Sequence, residues 1–305
     1  MSKSFTFLLK QRALDLGFDA CGVAKAEALP LETERLRAWI VAGAHAGMDY
    51  MSRNMEKREN PQLLLAGAKS VIVLMMNYNP PVVQKGQLPQ IAYYAYGKDY
   101  HDVIGEKLKI IERFIHAAYP TAQTRGFVDS APLFEKAWAI RAGLGWIGKN
   151  NLLISRELGS FNLLSVILTD IVVEYDDPEQ KNYCADCTKC LKACPSGALC
   201  QPYFLDARKC IAYQTIEKKQ PVEVDTHGYL FGCDICQKVC PWNAHVYTHT
   251  NAELAALPEI MTYTRTDWLA LEEEQFNRIF AHSPLQRVGL TKLKQIVNST
   301  LITQI

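Results

Sequence analysis

All the cysteines of the chain except Cys21 fall between positions 184 and 240. They read Cys184-x2-Cys187-x2-Cys190-x3-Cys194-Pro195, then Cys200 and Cys210, then Cys233-x2-Cys236-x3-Cys240-Pro241. The first run has the spacing of a two-cluster ferredoxin, in which three thiolates wrap one iron–sulfur cube and the fourth, before proline, reaches the other. Aligned from the proline ends, Cys240 matches Cys194, Cys236 matches Cys190 and Cys233 matches Cys187. The partner of Cys184 would be Leu230, so the second run is one ligand short. Cys210 and Cys200 can both fill the gap. Spacing favours Cys210, because Cys200 follows Cys194 too closely to reach round a cube easily. The expected quartets are Cys184, Cys187, Cys190 and Cys240 for one cluster, and Cys194, Cys210, Cys233 and Cys236 for the other.

Other uses of cysteine fit less well. Zinc usually takes two separated Cys-x2-Cys pairs rather than three thiols in one run. A disulfide scaffold suits a short secreted chain, and this one has 305 residues. Cys21 and Cys200 read as ordinary small packed residues.

The elements that must carry such a module are legible in outline. With 49% hydrophobic residues the chain can bury a sizeable core. A net charge of +1 announces neither nucleic acid nor membrane. The most apolar stretch, Phe161 to Val173, is broken by Asn162, Ser165, Thr169 and Asp170, so no segment reads as a bilayer span. The N-terminus lacks the apolar core and cleavage site of an export signal and has no twin arginine. A cytoplasmic location is therefore expected, where thiols stay reduced.

Phe5, Leu8, Leu9, Ala13 and Leu16 recur at helical spacing up to Gly17. Phe18 to Val23 suits a strand and Leu31 to Val41 a helix. The stretch from Gly43 through Glu56-Lys57-Arg58-Glu59-Asn60-Pro61 reads as a charged, solvated loop. Ser70 to Tyr78 reads as a buried strand, Ile91 to Tyr96 as a second, and Val103 to Ala118 as an amphipathic helix. Ala122 to Val128 reads as a strand delivering Asp129-Ser130-Ala131-Pro132, followed by a helix from Pro132 to about Ala142. Phe161 to Leu168 is the last strong strand, and Leu285 to Leu301 a final helix. This alternation gives an α/β (α+β) class. Three units are expected: 1–176, a cluster module at 177–245 made of short helices and turns, and a helical segment at 246–305 packing on the core. No Gly-x-Gly-x-x-Gly follows a strand and no phosphate-binding P-loop appears, so nicotinamide and nucleoside triphosphate chemistry have no support.

Clusters deliver electrons one at a time and need an acceptor, so the first unit is expected to bind another redox centre. Asp129 is the most suggestive carboxylate, at a strand end ahead of Pro132. On these residues alone, an ordinary N-cap by Asp129 or Ser130 accounts for it equally. His45 and His101 are conceivable ligands, but lone histidines are more often structural.

Several stretches together resemble the epoxyqueuosine reductase family. They are the run Cys184 to Pro195, the segment Arg208-Lys209-Cys210-Ile211-Ala212-Tyr213-Gln214-Thr215-Ile216-Glu217, and the segment Gly232-Cys233-Asp234-Ile235-Cys236-Gln237-Lys238-Val239-Cys240-Pro241-Trp242-Asn243. Gly97-Lys98-Asp99-Tyr100-His101-Asp102, Val128-Asp129-Ser130 and Arg141-Ala142-Gly143-Leu144-Gly145 match in the same order. The resemblance covers roughly residues 1 to 245. It implies an α/β cobalamin-binding domain related to reductive dehalogenases, with two [4Fe–4S] clusters beside it. It implies reduction of epoxyqueuosine to queuosine at the wobble position of tRNA. It supports Cys210 over Cys200, and it makes Asp129 the general acid near the substrate. Arg58 matches a cobalamin contact, and Ala92, Leu153, Ala212 and Gln237 fall at other corrinoid-facing positions.

The resemblance also carries departures. Ala212 stands where a serine is common, which removes a hydroxyl. The chain stops at Ile305, where many members continue into helical repeats, so no such domain is expected. There is no Asp-x-His-x-x-Gly, and Asp225-Thr226-His227-Gly228 is too short to serve, so the corrinoid is expected to lack a histidine ligand. The partners implied are a tRNA and an electron-donating reductant, with no membrane and a monomeric chain. Lys189, Lys192, Arg208, Lys209, Lys218 and Lys219, with Arg287, Lys292 and Lys294, are the basic residues available for phosphates. Two rival readings remain at this point: a reductive dehalogenase, which is usually exported, and a ferredoxin-type electron carrier with an inert domain.

Overall fold

Ser70–Asn77 forms a strand buried at every position, and the first half of the chain is layered about it. The structure is a computed structural model that describes residues 3–299. Helix α1 (Lys3–Asp15) leads into β1 (Ala20–Lys25), and α2 (Pro30–Val41) and the short α3 (Met55–Glu59) lead into β2 (Ser70–Asn77). Strand β3 is only Gln90–Ile91, followed by the long α4 (Tyr100–Ala118), β4 (Thr124–Phe127) and α5 (Glu135–Arg141). A small hairpin of β5 (Trp146–Ile147) and β6 (Leu153–Ile154) precedes β7 (Asn162–Thr169).

The main sheet runs β1-β2-β7-β4, and all its pairs are antiparallel. Side chains alternate across a strand. Ile72, Leu74 and Met76 therefore face α1 and α4, where Phe5, Leu9, Ile104, Leu108 and Ile111 pack. Val71, Val73 and Met75 face the opposite layer, with Trp138 and Ala139 of α5. Because both faces are covered, β2 reads as a continuous apolar run, a pattern otherwise typical of parallel sheets. Of the two descriptions in the α/β (α+β) class, the antiparallel pairing puts the sheet on the α+β side. Gly22 lets β1 lie against α5: a Cβ there would meet the Ala142 carbonyl oxygen at 2.2 Å.

The second half is built of short pieces. Helices α6 (Lys189–Ala193) and α7 (Ile235–Lys238) flank β8 (Tyr229–Phe231), which pairs in parallel with β3. Asp176 opens the connection to this half. Its carboxylate accepts from the Val23 N–H at 2.8 Å and from Lys10 Nζ at 2.5 Å. Helices α8 (Pro258–Thr262), α9 (Arg265–Ala270), α10 (Glu273–Ile279) and α11 (Leu290–Ser299) complete the chain. Their apolar faces form one cluster with Ile91, Tyr96, Leu230 and Phe231, so β3 and β8 are covered by the C-terminal helices. Trp268 is fully buried there, with its ring 5.5 Å from Phe280. Trp268→Ala is expected to cost about 3–5 kcal/mol of stability; thermal unfolding checks this, and an unchanged midpoint would contradict it.

Four elements differ from the sequence reading. The 91–96 stretch is not a strand beyond Ile91. The Asp234 carboxylate takes the Tyr93 N–H at 2.7 Å, which ends the ladder, and Tyr93–Ala95 turns into a 3₁₀ helix. The helix read from Pro132 starts at Glu135, with Phe134 at its N-cap, so neither Asp129 nor Ser130 caps it. The final helix is broken: Pro284–Arg287 is 3₁₀, Gly289 has φ 76°, and α11 begins at Leu290. Leu301 lies outside the described residues. The charged 43–61 stretch is not wholly a solvated loop, since it folds into α3 and buries Arg58 to 8% exposure.

Candidate active site and metal centres

The thiols form two groups. Cys184, Cys187, Cys190 and Cys240 line one cavity of about 60 Å³, with Trp242 and Lys149 among its walls. Tyr183, Trp146 and Trp242 pack edge-on over it, with ring centroids 4.8 to 5.9 Å apart. Burial raises the Cys190 and Cys240 thiols, and the other members of this group add to the shift. Cys194, Cys210, Cys233 and Cys236 form the second group. Burial pushes Cys233 up to about 12 and Cys236 well above its ordinary value, and Cys210 and Cys194 add to both.

Thiols raised by burial and by one another are costly to ionise unless a cation shares the space, and metal binding deprotonates such a donor set. Among the described residues, no three His, Cys, Asp or Glu side chains converge on a point where one ion could sit. Cys184, Cys187, Cys190 and Cys240 line a cavity, which suits a cube with its irons at separate corners. Cys210 stands in the second group, while Cys200 is exposed rather than packed. Cys21, on β1, is partly buried against the core, and its thiol is pushed up to about 12 chiefly by burial.

Asp129 lies on the loop between β4 and α5, exposed, with φ 47°. Tyr100, the first residue of α4, donates its hydroxyl to Asp129 Oδ2 at 3.1 Å. The Asp129 N–H donates to Glu135 Oε1 at 2.9 Å. Burial first, and then Asp129, pushes the Glu135 carboxyl up to about 8. His101 stacks on Tyr100 with ring centroids 4.1 Å apart, and its Nδ1 lies 2.7 Å from Asp99 Oδ1. That hydrogen bond raises the imidazole despite its partial burial. His101 is thus an oriented member of the site rather than a lone ligand.

Arg58, on α3, lies close enough to Asp129 and Glu135 for both carboxylates to act on it. One terminal nitrogen donates to the Tyr50 carbonyl at 3.3 Å, and its buried Nε has no hydrogen-bond partner within the protein. Burial lowers its pKa, and Tyr50, Asp129 and Glu135 oppose that shift. Tyr213 holds the adjoining loop, its hydroxyl accepting from the Gly47 N–H at 2.9 Å.

The remaining expected contacts sit on several elements. Ala92 is 1% exposed, and its N–H donates to Phe231 O. Ala212 caps the turn ahead of Tyr213 and is half-buried. Gln237 Oε1 accepts from Ser160 Oγ at 3.0 Å and lies 3.3 Å from the Tyr78 hydroxyl. Leu153 packs its side chain in the core with Trp138, so any contact with a ligand there would come from its edge. Tyr100 and Glu135 were not singled out individually by the sequence reading. Their signal was weak, because the one lies in a quoted motif and the other is an ordinary first-turn glutamate.

Several of the basic residues are occupied within the protein. Arg208 is bidentate on Asp206, Lys218 pairs with Glu223, Arg287 pairs with Glu217, and Lys292 donates to the Lys218 carbonyl. Lys189, Lys192, Lys209 and Lys219 are exposed. No helix among the described residues is long and apolar enough to cross a membrane.

Comparison with known proteins adds a family to this geometry. Residues 58–130 match the family described as "Epoxyqueuosine reductase QueG", and residues 183–243 match the "4Fe-4S double cluster binding domain". The epoxyqueuosine reductase of Cellulophaga algicola is 40% identical over 295 residues, covering 95% of this chain and 96% of that one. The solved Bacillus subtilis epoxyqueuosine reductase, described with its catalytic aspartate loop swung out of the active site, is 30% identical with a TM-score of 0.89. That match covers 96% of this chain and 80% of that one. A solved epoxyqueuosine reductase with an epoxyqueuosine-modified tRNA stem loop is 31% identical with a TM-score of 0.87, at the same coverages. By identity and coverage together, the chain belongs to the epoxyqueuosine reductase family.

Proposed function

We propose that this protein reduces epoxyqueuosine to queuosine at the wobble position of tRNA, drawing electrons through two [4Fe–4S] clusters with a corrinoid in the cleft. One observation carries the reading. Tyr100 and Glu135 hold Asp129 by hydrogen bonds at its carboxylate and its backbone, the buried Arg58 lies within electrostatic reach of Asp129 and Glu135, and Ala212 and Gln237 stand two residues after Cys210 and directly after Cys236. The division of labour follows. Residues 1–176 form the catalytic unit, 177–245 the cluster module and 246–305 the packing segment.

The cleft fits a corrinoid on its own terms. A buried donor left without an acceptor costs about 1–3 kcal/mol, more when charged, and Arg58 Nε is such a donor. A corrinoid rim carries amide carbonyls that would receive it. Gln237, buried and held by Ser160 and Tyr78, offers a fixed amide. When bound, the corrinoid supplies the carbon–oxygen bond chemistry that side chains cannot perform.

Removing an epoxide oxygen as water takes two electrons and two protons. Asp129 gives the proton to the leaving oxygen, and a positioned carboxylic acid suits that task. Tyr100 fixes which carboxyl oxygen faces outward by holding Oδ2. The modified base is presented from the single-stranded anticodon loop, unstacked into the cleft. The exposed Lys189, Lys192, Lys209 and Lys219 are better placed to meet phosphates than the ion-paired Arg208, Lys218 and Arg287. A separate reductant and a monomeric, cytoplasmic chain complete the reading.

Anaerobic reconstitution with cobalamin, followed by turnover of an epoxyqueuosine-containing stem loop, tests it. Corrinoid uptake with formation of queuosine is expected, and a protein that takes up no corrinoid would sink the reading. The chain would hold a corrinoid without contributing a histidine ligand. Electron paramagnetic resonance of the loaded protein should lack nitrogen splitting from the chain, and its presence would refute this point.

A further inference from the structure

Asp129 is a non-glycine residue in the left-handed region, a conformation that costs about 1–2 kcal/mol and needs support from its surroundings. Val128 to Phe134 lies outside every helix and strand. The support on the α5 side is one contact, the Asp129 N–H on Glu135 Oε1 at 2.9 Å. Glu135 is the first residue of α5, and α5 is anchored by the fully buried Trp138 and Ala139 against the sheet. The hydrogen bond therefore ties a strained, exposed residue to a rigid element six positions along the chain. Tyr100 holds the side chain of Asp129, so the acid is gripped at its carboxylate by α4 and at its backbone by α5.

We propose that Glu135 is a positioning residue: its side chain latches the loop so that the Asp129 carboxyl stays in the cleft. The inference rests on the role assigned to Asp129 under the proposed function. A latch of this kind needs an acceptor oxygen and no charge. The environment agrees, since burial and the neighbouring Asp129 favour the neutral form of Glu135. Glutamine offers the same acceptor at the same reach, whereas alanine offers none.

The test compares Glu135→Gln and Glu135→Ala in the reconstituted enzyme, with two readouts. In Glu135→Ala, kcat should fall about tenfold, the scale of one hydrogen bond, with KM for the stem loop within about twofold. The Asp129 amide should exchange with deuterium about tenfold faster, because its one acceptor is gone. Glu135→Gln should restore both to near the native values. Equal losses in both variants would mean that the charge or proton of Glu135 is what matters, and would overturn the latch. So would an unchanged Asp129 amide in Glu135→Ala. The exchange readout does not depend on catalysis, so the latch stands or falls apart from the proposed reaction. If Asp129→Asn proved fully active, the acid role of Asp129 would fall while the amide measurement still judged the latch.

Discussion

Asp129→Asn should lower kcat for epoxyqueuosine reduction by about 10²–10⁴-fold, the usual worth of a positioned general acid. The substitution is a clean one. Asparagine tolerates the left-handed backbone as well as aspartate does, so the φ of 47° is no obstacle. Its amide oxygen can still accept from the Tyr100 hydroxyl. The backbone N–H that bonds Glu135 is untouched. What disappears is the proton that aspartic acid can release. Cluster content, corrinoid uptake and stem-loop affinity should therefore be unchanged, with the loss confined to kcat. Single-turnover formation of queuosine measures it, and native activity in this variant would remove Asp129 as the proton donor.

The second large effect concerns the ligand missing from the Cys233–Cys240 run. Cys210→Ala should remove one cluster, taking iron from about eight to about four atoms per chain. Cys200→Ala should leave iron and activity as they were. The contrast follows from position. Cys210 shares its surroundings with Cys194, Cys233 and Cys236, while Cys200 is exposed. Loss of Cys210 should also stop turnover, because that group adjoins Ala212 and Gln237 on the cleft wall. Iron and sulfide analysis after anaerobic reconstitution decides it. Equal iron content in the two variants would contradict the assignment.

The cysteine register shows how much of this protein is local. Three ligands of a cube can come from one short run, so the spacing of Cys184, Cys187 and Cys190, and the prolines after Cys194 and Cys240, are written in consecutive residues, while the remaining ligand comes from the other run. The strongly periodic elements were legible for a related reason. α4 carries Val103, Ile104, Leu108, Ile111 and Ile115 on one face, and β2 is apolar without interruption. Burial on one face or two leaves a period that neighbouring residues alone reveal.

Sheet direction lay outside that reach. A strand covered on both faces has the same composition whether its partners run parallel or antiparallel, and only the pairing of β2 with β1 and β7 decides. The end of β3 was likewise decided at a distance, by the Asp234 carboxylate on the Tyr93 amide. The sequence by itself determined the spacing within each cysteine run and the place of Asp129 just past a strand, because those patterns lie between near neighbours. The tertiary structure alone decided that Arg58 and Tyr100 are brought beside Asp129 and Glu135. It also decided that several of the basic residues spend their charge on Asp206, Glu217 and Glu223. Chain packing rather than spacing brings Arg58 and Tyr100 to Asp129 and Arg287 to Glu217, whereas the Arg208–Asp206, Lys218–Glu223 and Asp129–Glu135 contacts are local.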